Sequence, residues 1–246
     1  MQATGSKGSR SVYRLSIHVL VGGFSVSVDD LAGQQILQVG KPWVEAGNQS
    51  HAEVLRAVLT DVRVSSRTYA RVELVSHAPS TYVPVELFRR SDMPSIYRLT
   101  FSNMRVNNAD IRHRILPGMD VVEIYSIPQP LARVVEELYP QVDMSGRAGQ
   151  LVGQAAGHDR KLPATEQRVH VHMDADELHV CLLTGGQLRF ACAYPASADA
   201  DRIYYLMAAW RTLGLDAGRT PCLLWGDAAS LEKELMNYIM NVETCA

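Results

Sequence analysis

Residues 169–190 read VHVHMDADELHVCLLTGGQLRF, and this stretch decides the fold. Apolar and polar residues alternate on both sides of an acidic turn at residues 174–177, and a pair of glycines forms a second turn at residues 185 and 186. A two-residue period between turns is typical of short strands that bury one face. The stretch therefore predicts three strands joined as a meander.

Length and composition indicate a globular chain with two domains. The 246 residues are long for one domain and natural for two smaller ones. With 47% hydrophobic and 20% charged residues, the chain can bury hydrophobic cores, so disorder is expected only at the ends. Residues 1–10 are expected to form a disordered tail.

Charge and cysteine usage point to a cytoplasmic protein. The 24 Lys and Arg residues balance 26 Asp and Glu residues, which gives no basic excess for nucleic-acid binding. No apolar run approaches the roughly 18 to 20 residues that span a bilayer, and residues 1–10 lack the apolar segment of a signal peptide. The cysteines have no CxxC spacing and are predicted to be buried thiols, at Cys181, Cys192, Cys222 and Cys245.

The first half of the chain predicts a hairpin, further strands and a helix. The strands are expected at residues 15–19, 24–28, 35–39 and 70–74. Ser50 and Glu53 match a capping box that starts the helix. Prolines interrupt residues 79–118, which are interpreted as an insertion with strands at 96–101 and 111–116. The arginines of this insertion are expected on a solvated face rather than at a nucleic-acid or acidic-partner site.

The second half repeats this order after a connecting region. That region predicts a strand at 121–125, helices at 128–139 and 145–156, and a linker at 157–163. Beyond the meander, Ser197 is expected to cap a helix that ends at Gly214. A buried strand at 221–225 and a final helix follow, the helix with an apolar face of Leu231, Leu235, Ile239 and Val242.

The two halves therefore share one element order, three antiparallel strands followed by alternating helix and strand. This order predicts a mixed α/β fold with two tandem ribonuclease-H-like domains, each a mixed five-stranded sheet with flanking helices. Domain I is expected at residues 11–160, with its insertion at about 79–118, and domain II at residues 161–246.

Such a tandem resembles the superfamily of actin, sugar kinases and Hsp70. Within it, the chain is similar to an uncharacterised bacterial family, mainly from Bacteroidetes, with an actin-like ATPase architecture. The stretches that carry the resemblance are residues 15–25, 83–88, 125–128 and 210–215. More distantly, it is similar to actin-like pilus-assembly proteins and to the division protein FtsA, which suggests scaffolding by analogy of fold.

The resemblance also shows where an ATPase would hold phosphate, because active members have an Asp-x-Gly loop at the first hairpin of each domain. In the first hairpin the loop falls on Ser16, His18, Gly22 and Gly23, without a carboxylate. In the second hairpin the Asp position falls on His172. The glycine positions there fall on Asp174, Ala175 and Asp176. Three carboxylates, Asp174, Asp176 and Glu177, therefore lie close together at a turn that should receive an anion. The turn at residues 225–229 keeps Gly226 of an adenosine-binding pattern.

Three histidines are candidate metal ligands. His170 and His172 share one face of a strand, and His179 on the next strand could supply a third imidazole, with Asp174 as a fourth ligand. The simpler interpretation places them on the half-exposed face of an edge meander. Asp29 and Asp30 are expected to end a strand rather than bind an ion. A hydrolase site is not expected, because no G-x-S-x-G elbow is present.

These patterns predict a pseudo-ATPase, a non-catalytic actin-like protein that acts as a scaffold or protein-interaction module. ATP and magnesium are not expected as cofactors. The partner is expected to be a protein that binds the insertion or the domain cleft; nucleic acid and a membrane span are not expected, and a homodimer stays open. The alternatives are a nucleotide-binding actin-like ATPase and a metal-dependent enzyme that uses His170, His172 and His179.

Overall fold

A computed structural model describes residues 12–43, 50–174, 176–226 and 228–245. The α-helices within these ranges are His51–Thr60 (α1), Val62–Ser65 (α2), Met93–Thr100 (α3), Gln129–Leu138 (α4), Arg147–Asp159 (α5), Asp199–Thr212 (α6) and Ala229–Leu235 (α7). The strands are Val12–Val19 (β1), Gly23–Asp30 (β2), Gln35–Pro42 (β3), Thr68–Ser76 (β4), Thr81–Pro84 (β5), Ile111–Ile115 (β6), Val121–Ser126 (β7), Asp143–Gly146 (β8), Gln167–Met173 (β9), Glu177–Thr184 (β10), Gln187–Pro195 (β11), Cys222–Trp225 (β12) and Val242–Cys245 (β13). The expected tail at residues 1–10 lies outside the described residues.

The predicted repeat is confirmed by two five-stranded sheets with the same topology. The strand orders are β3-β2-β1-β4-β8 and β11-β10-β9-β12-β13. In each sheet the first three strands are antiparallel and the last two join in parallel. The meander predicted at residues 169–190 is formed by β9, β10 and β11.

The chain packs into two compact units. Unit 1 holds the described residues of Met1–Ala78, Val106–Arg112 and Ser126–Gly146. Its sheet buries the alternate side chains Leu15, Ile17, Phe24, Val26 and Leu74, which the two-residue period of the strands places on one face. Helix α1 begins with the predicted capping box, since the Ser50 side chain accepts from the Glu53 amide and the Glu53 carboxylate accepts from the Ser50 amide.

Unit 2 holds Pro79–Arg105, His113–Tyr125 and the described residues of Arg147–Ala246. One face of its five-stranded sheet packs against α6 and α7 in an apolar core that includes Val171, Val180, Leu206, Leu224 and Leu231. The opposite face packs against α5, in a smaller core formed by Leu116, Met119, Val152, Ala155, Cys181 and Leu183. Both faces of the central strands are therefore covered. The assignment of residues 11–160 and 161–246 to two domains stays a prediction.

Three local predictions were wrong. Residues 96–101 do not form a strand but lie mostly in α3, which begins beside Pro94 and buries Met93 and Tyr97 one helical turn apart. The final helix ends at Leu235, and Val242 begins the edge strand β13. Helix α6 has Ala198 as its N-cap without a side-chain cap, so Ser197 does not cap it, whereas Gly214 follows its end with φ +65° as expected.

Helix α5 is anchored at its first turn by a buried carboxylate. Glu123 on β7 is 0% exposed, and its Oε1 accepts hydrogen bonds from the Gly149 amide (2.9 Å) and from Ser80 Oγ (2.8 Å). A carboxylate at a helix N-terminus satisfies an amide that has no partner within the helix. A Cβ atom on Gly149 would overlap this carboxylate, which explains the glycine.

We expect Gly149→Ala to lower the free energy of unfolding by about 2 kcal/mol or more, because the enclosed Glu123 side chain must give up its hydrogen bonds to admit a methyl group. The matched control is Gly153→Ala on the same helix. Gly153 is exposed and has open space around its Cα, so alanine there should raise stability by up to about 1 kcal/mol through helix propensity. Urea unfolding measures both. Equal stability of the two variants would contradict this role of Glu123.

Candidate functional site

The first hairpin places its predicted phosphate-loop residues within the sheet of unit 1. Ser16 and His18 lie in β1, and Gly22 and Gly23 lie at the turn into β2. His18 Nδ1 lies 3.0 Å from His77 Nε2, so the imidazole is already engaged at the end of β4. Gly23 has a packing reason to be glycine, because a Cβ atom would overlap the Lys41 carbonyl oxygen on β3. No carboxylate stands at these four positions.

The second hairpin brings most of its predicted residues together. His172 on β9 pairs directly with His179 on β10, and the Asp174 amide donates to the Glu177 carbonyl oxygen (3.0 Å) where the strands turn. Because side chains two residues apart share a face of a strand, His172 and Asp174 lie on the same side of the sheet. Asp176 is exposed at the turn. Ala175 lies outside the described residues.

Gly226 lies beside the same hairpin, directly after β12. Its φ of +93° favours glycine, and a Cβ atom would lie 3.0 Å from the Met173 carbonyl oxygen of β9. The preceding Trp225 pairs with His172 in parallel register, and the two rings stack with centroids 5.3 Å apart. Asp227, the next residue of the expected adenosine-binding turn, lies outside the described residues.

Asp174 is held by two arginines. Its Oδ1 lies 3.6 Å from Arg147 Nη2 at the start of α5, and its carbonyl oxygen accepts a hydrogen bond from Arg202 Nη2 on α6 (3.0 Å). His179 Nε2 lies 3.8 Å from Asp174 Oδ2 and 3.2 Å from Glu177 Oε2, without hydrogen-bond geometry to either. The turn thus carries carboxylates whose charge is balanced in part by Arg147.

His170 is the centre of a buried hydrogen-bond chain. Its Nε2 lies 2.9 Å from Asp159 Oδ2 at the end of α5, and its Nδ1 accepts the indole N–H of Trp225 (3.2 Å). An indole nitrogen can only donate, so Nδ1 must be unprotonated and the ring proton sits on Nε2, which donates to Asp159. Both ring nitrogens are therefore used, and the side chain is 0% exposed.

Asp159 is ionised within this chain. Its burial opposes ionisation, but hydrogen bonds from His170 and from His158 Nδ1 (3.2 Å), together with the charge of Arg168, outweigh that cost and hold the pKa of Asp159 below its usual value. The His158 ring also meets the edge of Trp225 at 5.4 Å. Asp159 therefore fixes two histidines at once.

His172 is kept neutral by its surroundings. Burial is the largest cause, and the nearby positive charge of Arg147 adds to it, so that the pKa of His172 falls to about 3. Its Nε2 atom is buried without a hydrogen-bond partner among the described residues. Because Trp225 stacks on the ring, His172 acts at pH 7 as a neutral, packed imidazole.

Hydrogen bonds already occupy both ring nitrogens of His170, the first of the three candidate metal ligands. His170, His172 and His179 are buried beneath α5 rather than on a half-exposed face, so the simpler interpretation was also wrong about their exposure. His170 cannot bind a metal without giving up its hydrogen bond to Asp159 or to Trp225. Over the described ranges of the chain, no group of three or more His, Cys, Asp or Glu side chains is arranged to hold a metal ion.

Other candidate groups have structural roles. Asp30 Oδ1 accepts the amides of Ala32 (2.9 Å) and Gln34 (2.8 Å), which shapes the turn between β2 and β3. The cysteines of the described chain are free thiols. Cys181 and Cys222 are buried as expected, and burial raises the pKa of each thiol to about 12, so neither is a nucleophile at pH 7. Cys192 and Cys245 are only half-buried.

Three residues of this cluster escaped prediction. Asp159 lies in the expected linker at residues 157–163, but α5 extends into this segment and ends at Asp159. Trp225 was assigned only to a buried strand, and Arg147 only to a helix. The sequence signal was weak: His158 and Asp159 are adjacent polar residues next to a run of small residues, and nothing in the spacing links them to a strand eleven residues later.

An anion at this hairpin would meet an unfavourable field. Asp174, Asp176 and Glu177 surround the turn at which the resemblance predicts a phosphate loop, and a carboxylate at about 4 to 6 Å repels a negative group by roughly 1 kcal/mol even in water. Arg147 offsets one of these charges. The arrangement can stabilise the hairpin and shield the histidines, but its described residues do not form a carboxylate-free cradle for phosphate.

Comparisons with known proteins agree on family and fold. A family model described as a protein of unknown function (DUF3822) matches residues 3–242. A crystal structure from Bacteroides thetaiotaomicron, of a protein with an actin-like ATPase fold and unknown function, matches with a TM-score of 0.77 and 22% identity over 99% of this chain and 94% of that one. The predicted resemblance and fold are confirmed. No protein with a curated description matches.

Two further structures match with TM-scores below 0.5. The PilM–PilN type IV pilus biogenesis complex matches with a TM-score of 0.48 and 12% identity over 96% of this chain and 89% of that one. The Ppx/GppA phosphatase of Aquifex aeolicus matches with a TM-score of 0.42 and 10% identity over 92% and 73%. In the described part of the chain, none of the helices combines the length and apolar character needed to cross a membrane.

We expect His172 to make the protein less stable in acid. Its pKa is 6.5 in the unfolded chain and about 3 when folded, so below pH 6.5 the unfolded state binds a proton that the folded state does not. Stability is therefore lost as the pH falls, by about 2 kcal/mol at pH 5 from this group alone. In His172→Phe, which keeps a ring against Trp225, the difference in unfolding free energy between pH 7 and pH 5 should shrink by that amount. An unchanged difference would contradict the neutral, buried state of His172.

Proposed function

Because the chain belongs to the DUF3822 family of proteins of unknown function, with an actin-like ATPase fold, we propose that it is a non-catalytic member of that fold, a pseudo-ATPase that acts as a protein-interaction or scaffold module. The observation that carries this proposal is the acidic turn of the second hairpin. Asp174 and Glu177 pair there across the strands, where an active relative would hold phosphate.

The first hairpin supports the same proposal. A phosphate loop of this superfamily needs a carboxylate that positions a metal ion, and Ser16 and His18 cannot supply it. Preorganised charge around the transferred phosphate is usually the largest catalytic contribution, with single donors worth about 3 to 4 kcal/mol. Loss of the carboxylate from one loop and its gain at the wrong position in the other should lower turnover by many orders of magnitude.

The insertion offers a surface for a protein partner. Leu87 and Leu99 are 67% and 85% exposed, and Ile115 is also exposed, although all three are large apolar residues. Residues 79–118 contain six arginines against three carboxylates. Exposed apolar side chains among basic residues are typical of a surface that binds an acidic, partly apolar partner. We place the partner surface on this insertion of domain I, within our proposed domains at residues 11–160 and 161–246.

The same residues argue against the two alternative functions. A nucleotide-binding ATPase would require phosphate to displace or outweigh the carboxylates of the acidic turn, and only Gly226 favours a base pocket. A metal-dependent enzyme that used His170 would require it to give up its hydrogen bond to Asp159 or to Trp225. We further infer a cytoplasmic location, because the free thiols at Cys181 and Cys222 are typical of proteins from reducing compartments.

We expect neither tight binding nor hydrolysis of ATP. Calorimetric titration with ATP and magnesium should give no saturable heat at micromolar protein, and phosphate release should not exceed the background without protein. The double variant Asp174→Gly, Asp176→Gly removes the repelling carboxylates and should bind ATP better than the wild type, still without turnover. Tight binding with steady phosphate release by the wild type would instead identify an active ATPase.

Metal analysis of the same preparation tests the metal-enzyme alternative.

We expect Leu87→Asp together with Leu99→Asp to abolish partner capture without unfolding the chain. Both side chains are exposed, so a charged replacement leaves the buried Met93 and Tyr97 of α3 in place, whereas deletion of residues 92–114 would remove them. The matched control is Met240→Asp, at another exposed apolar position. Pull-downs from the native host, analysed by mass spectrometry, should show proteins captured by the wild type and the control but not by the double variant. Equal capture by all three would place the partner surface elsewhere.

A further inference from the structure

The outer edge of β3 offers unpaired backbone groups. Among the described strands of its sheet, β3 has β2 as its neighbour on one side only. The Trp43 amide donates to the Gly22 carbonyl oxygen (3.0 Å), so in this antiparallel pair the amides of every second residue back along β3 also point toward β2. The N–H and C=O groups of Gln38 and Gly40 therefore point outward. The register of the pair shifts between Val28 and Asp29, so this alternation does not extend to Ile36. Pro42, the next outward position, has no N–H to leave unpaired.

An apolar groove lies directly beside this edge. It has a volume of about 260 Å³ and lies between β3 and the helices α1 and α2. Its apolar lining is Leu37, Val39, Val54, Ala57, Val58 and Val64. Helix α1 buries Leu55 and Leu59 against its own unit and leaves Val54 and Val58 only half-buried on the groove side. The volume is below the roughly 300 to 1,000 Å³ of typical small-molecule pockets, so a few aliphatic side chains fit it better than a cofactor.

The rim of the groove is basic. Lys41 stands at one end and has no ion pair among the described residues, whereas Arg63 is paired with Asp61 (3.0 Å) at the other. These three groups leave one net positive charge at the Lys41 end. A carboxylate on an occupant would find its best position there.

We propose that β3 is a docking edge for an extended acidic peptide segment of a partner protein. The segment pairs with the outward groups of Gln38 and Gly40 as a sixth strand of the sheet. Its alternate side chains fill the groove against Leu37 and Val39, and a carboxylate near its end pairs with Lys41. Strand addition of this kind takes its affinity from main-chain hydrogen bonds and its specificity from pockets for alternate side chains.

Charge favours this occupant over a second copy of the same edge. The strand Gln35–Pro42 contains no Asp or Glu, so a second β3 brings another lysine and nothing that complements the rim. The proposal does not rest on the insertion surface, because the groove and its edge lie wholly in unit 1. A negative result for one of these two surfaces does not affect the proposal for the other.

The probe is a fluorescent eight-residue peptide that alternates valine with threonine and carries a glutamate at one end, titrated with the full-length chain and followed by anisotropy. We expect saturable binding by the wild type. Gln38→Pro removes an outward N–H without breaking a bond to β2 and should weaken binding about tenfold, whereas Gln38→Thr keeps that N–H and should bind like the wild type. Circular dichroism confirms that both variants are folded.

A charge exchange tests the orientation of the peptide. Lys41→Glu should weaken binding of the glutamate peptide about fivefold and bind a lysine version of the peptide better than the wild type does. The absence of saturable binding by the wild type up to about 1 mM, or equal binding by Gln38→Pro, would overturn the proposal. A dimer in sedimentation that Gln38→Pro dissociates would also overturn it, because the occupant would then be a second β3.

Discussion

The fold of unit 2 depends on the need to satisfy polar groups on a sheet that is covered on both faces. Strand β9 places Val169 and Val171 in the apolar core and His170 on the opposite face, under α5. A buried imidazole without partners costs roughly 1 to 3 kcal/mol, so Asp159 at the end of α5 and Trp225 at the end of β12 stabilise this face by satisfying His170. One histidine thereby fixes the position of a helix end and of a neighbouring strand.

The polar contacts on this face of β9 continue to the turn between β9 and β10. Trp225 donates its indole N–H to His170 and stacks on His172, so two successive inward positions of β9 share one aromatic partner. The next inward position is Asp174, whose charge Arg147 balances from the first turn of α5. The polar face thus runs from Asp159 to Asp174 along the full length of α5. A phosphate placed at this turn would have to break a network that stabilises the unit.

Sequence periodicity predicts the first three strands of each five-stranded sheet, because apolar and polar residues alternate along most of their length. It fails where tertiary contacts decide between a helix and a strand. In α3 the buried pair Met93 and Tyr97 has helical spacing, yet the run from Ile96 to Phe101 is too short and apolar to separate the two periods. Near the end of the chain, Ile239 and Val242 continue a helical pattern and are buried as expected, but the pairing of β13 with β12 overrides the helix.

The candidate site was predictable in its composition but not in its connections. The carboxylates of the acidic turn and the three histidines are evident in the sequence, and their register follows from the hairpin. Their exposure is not evident, because the helix that covers them follows β8 and ends in a stretch of charged and small residues typical of a linker. Hydrogen bonds between side chains depend on that packing, and a single sequence contains no signal for them.

Two glycines of the expected nucleotide-binding turns have packing reasons of their own. In an active loop, glycine allows backbone amides to approach phosphate. Here Gly23 is required by the Lys41 carbonyl oxygen, and Gly226 by its positive φ and by the Met173 carbonyl oxygen. Each contact involves the backbone of a neighbouring strand within its own sheet, so it persists whether or not a nucleotide binds. Packing within the sheets therefore accounts for both glycines, although Ser16 and His18 supply no carboxylate at the first hairpin.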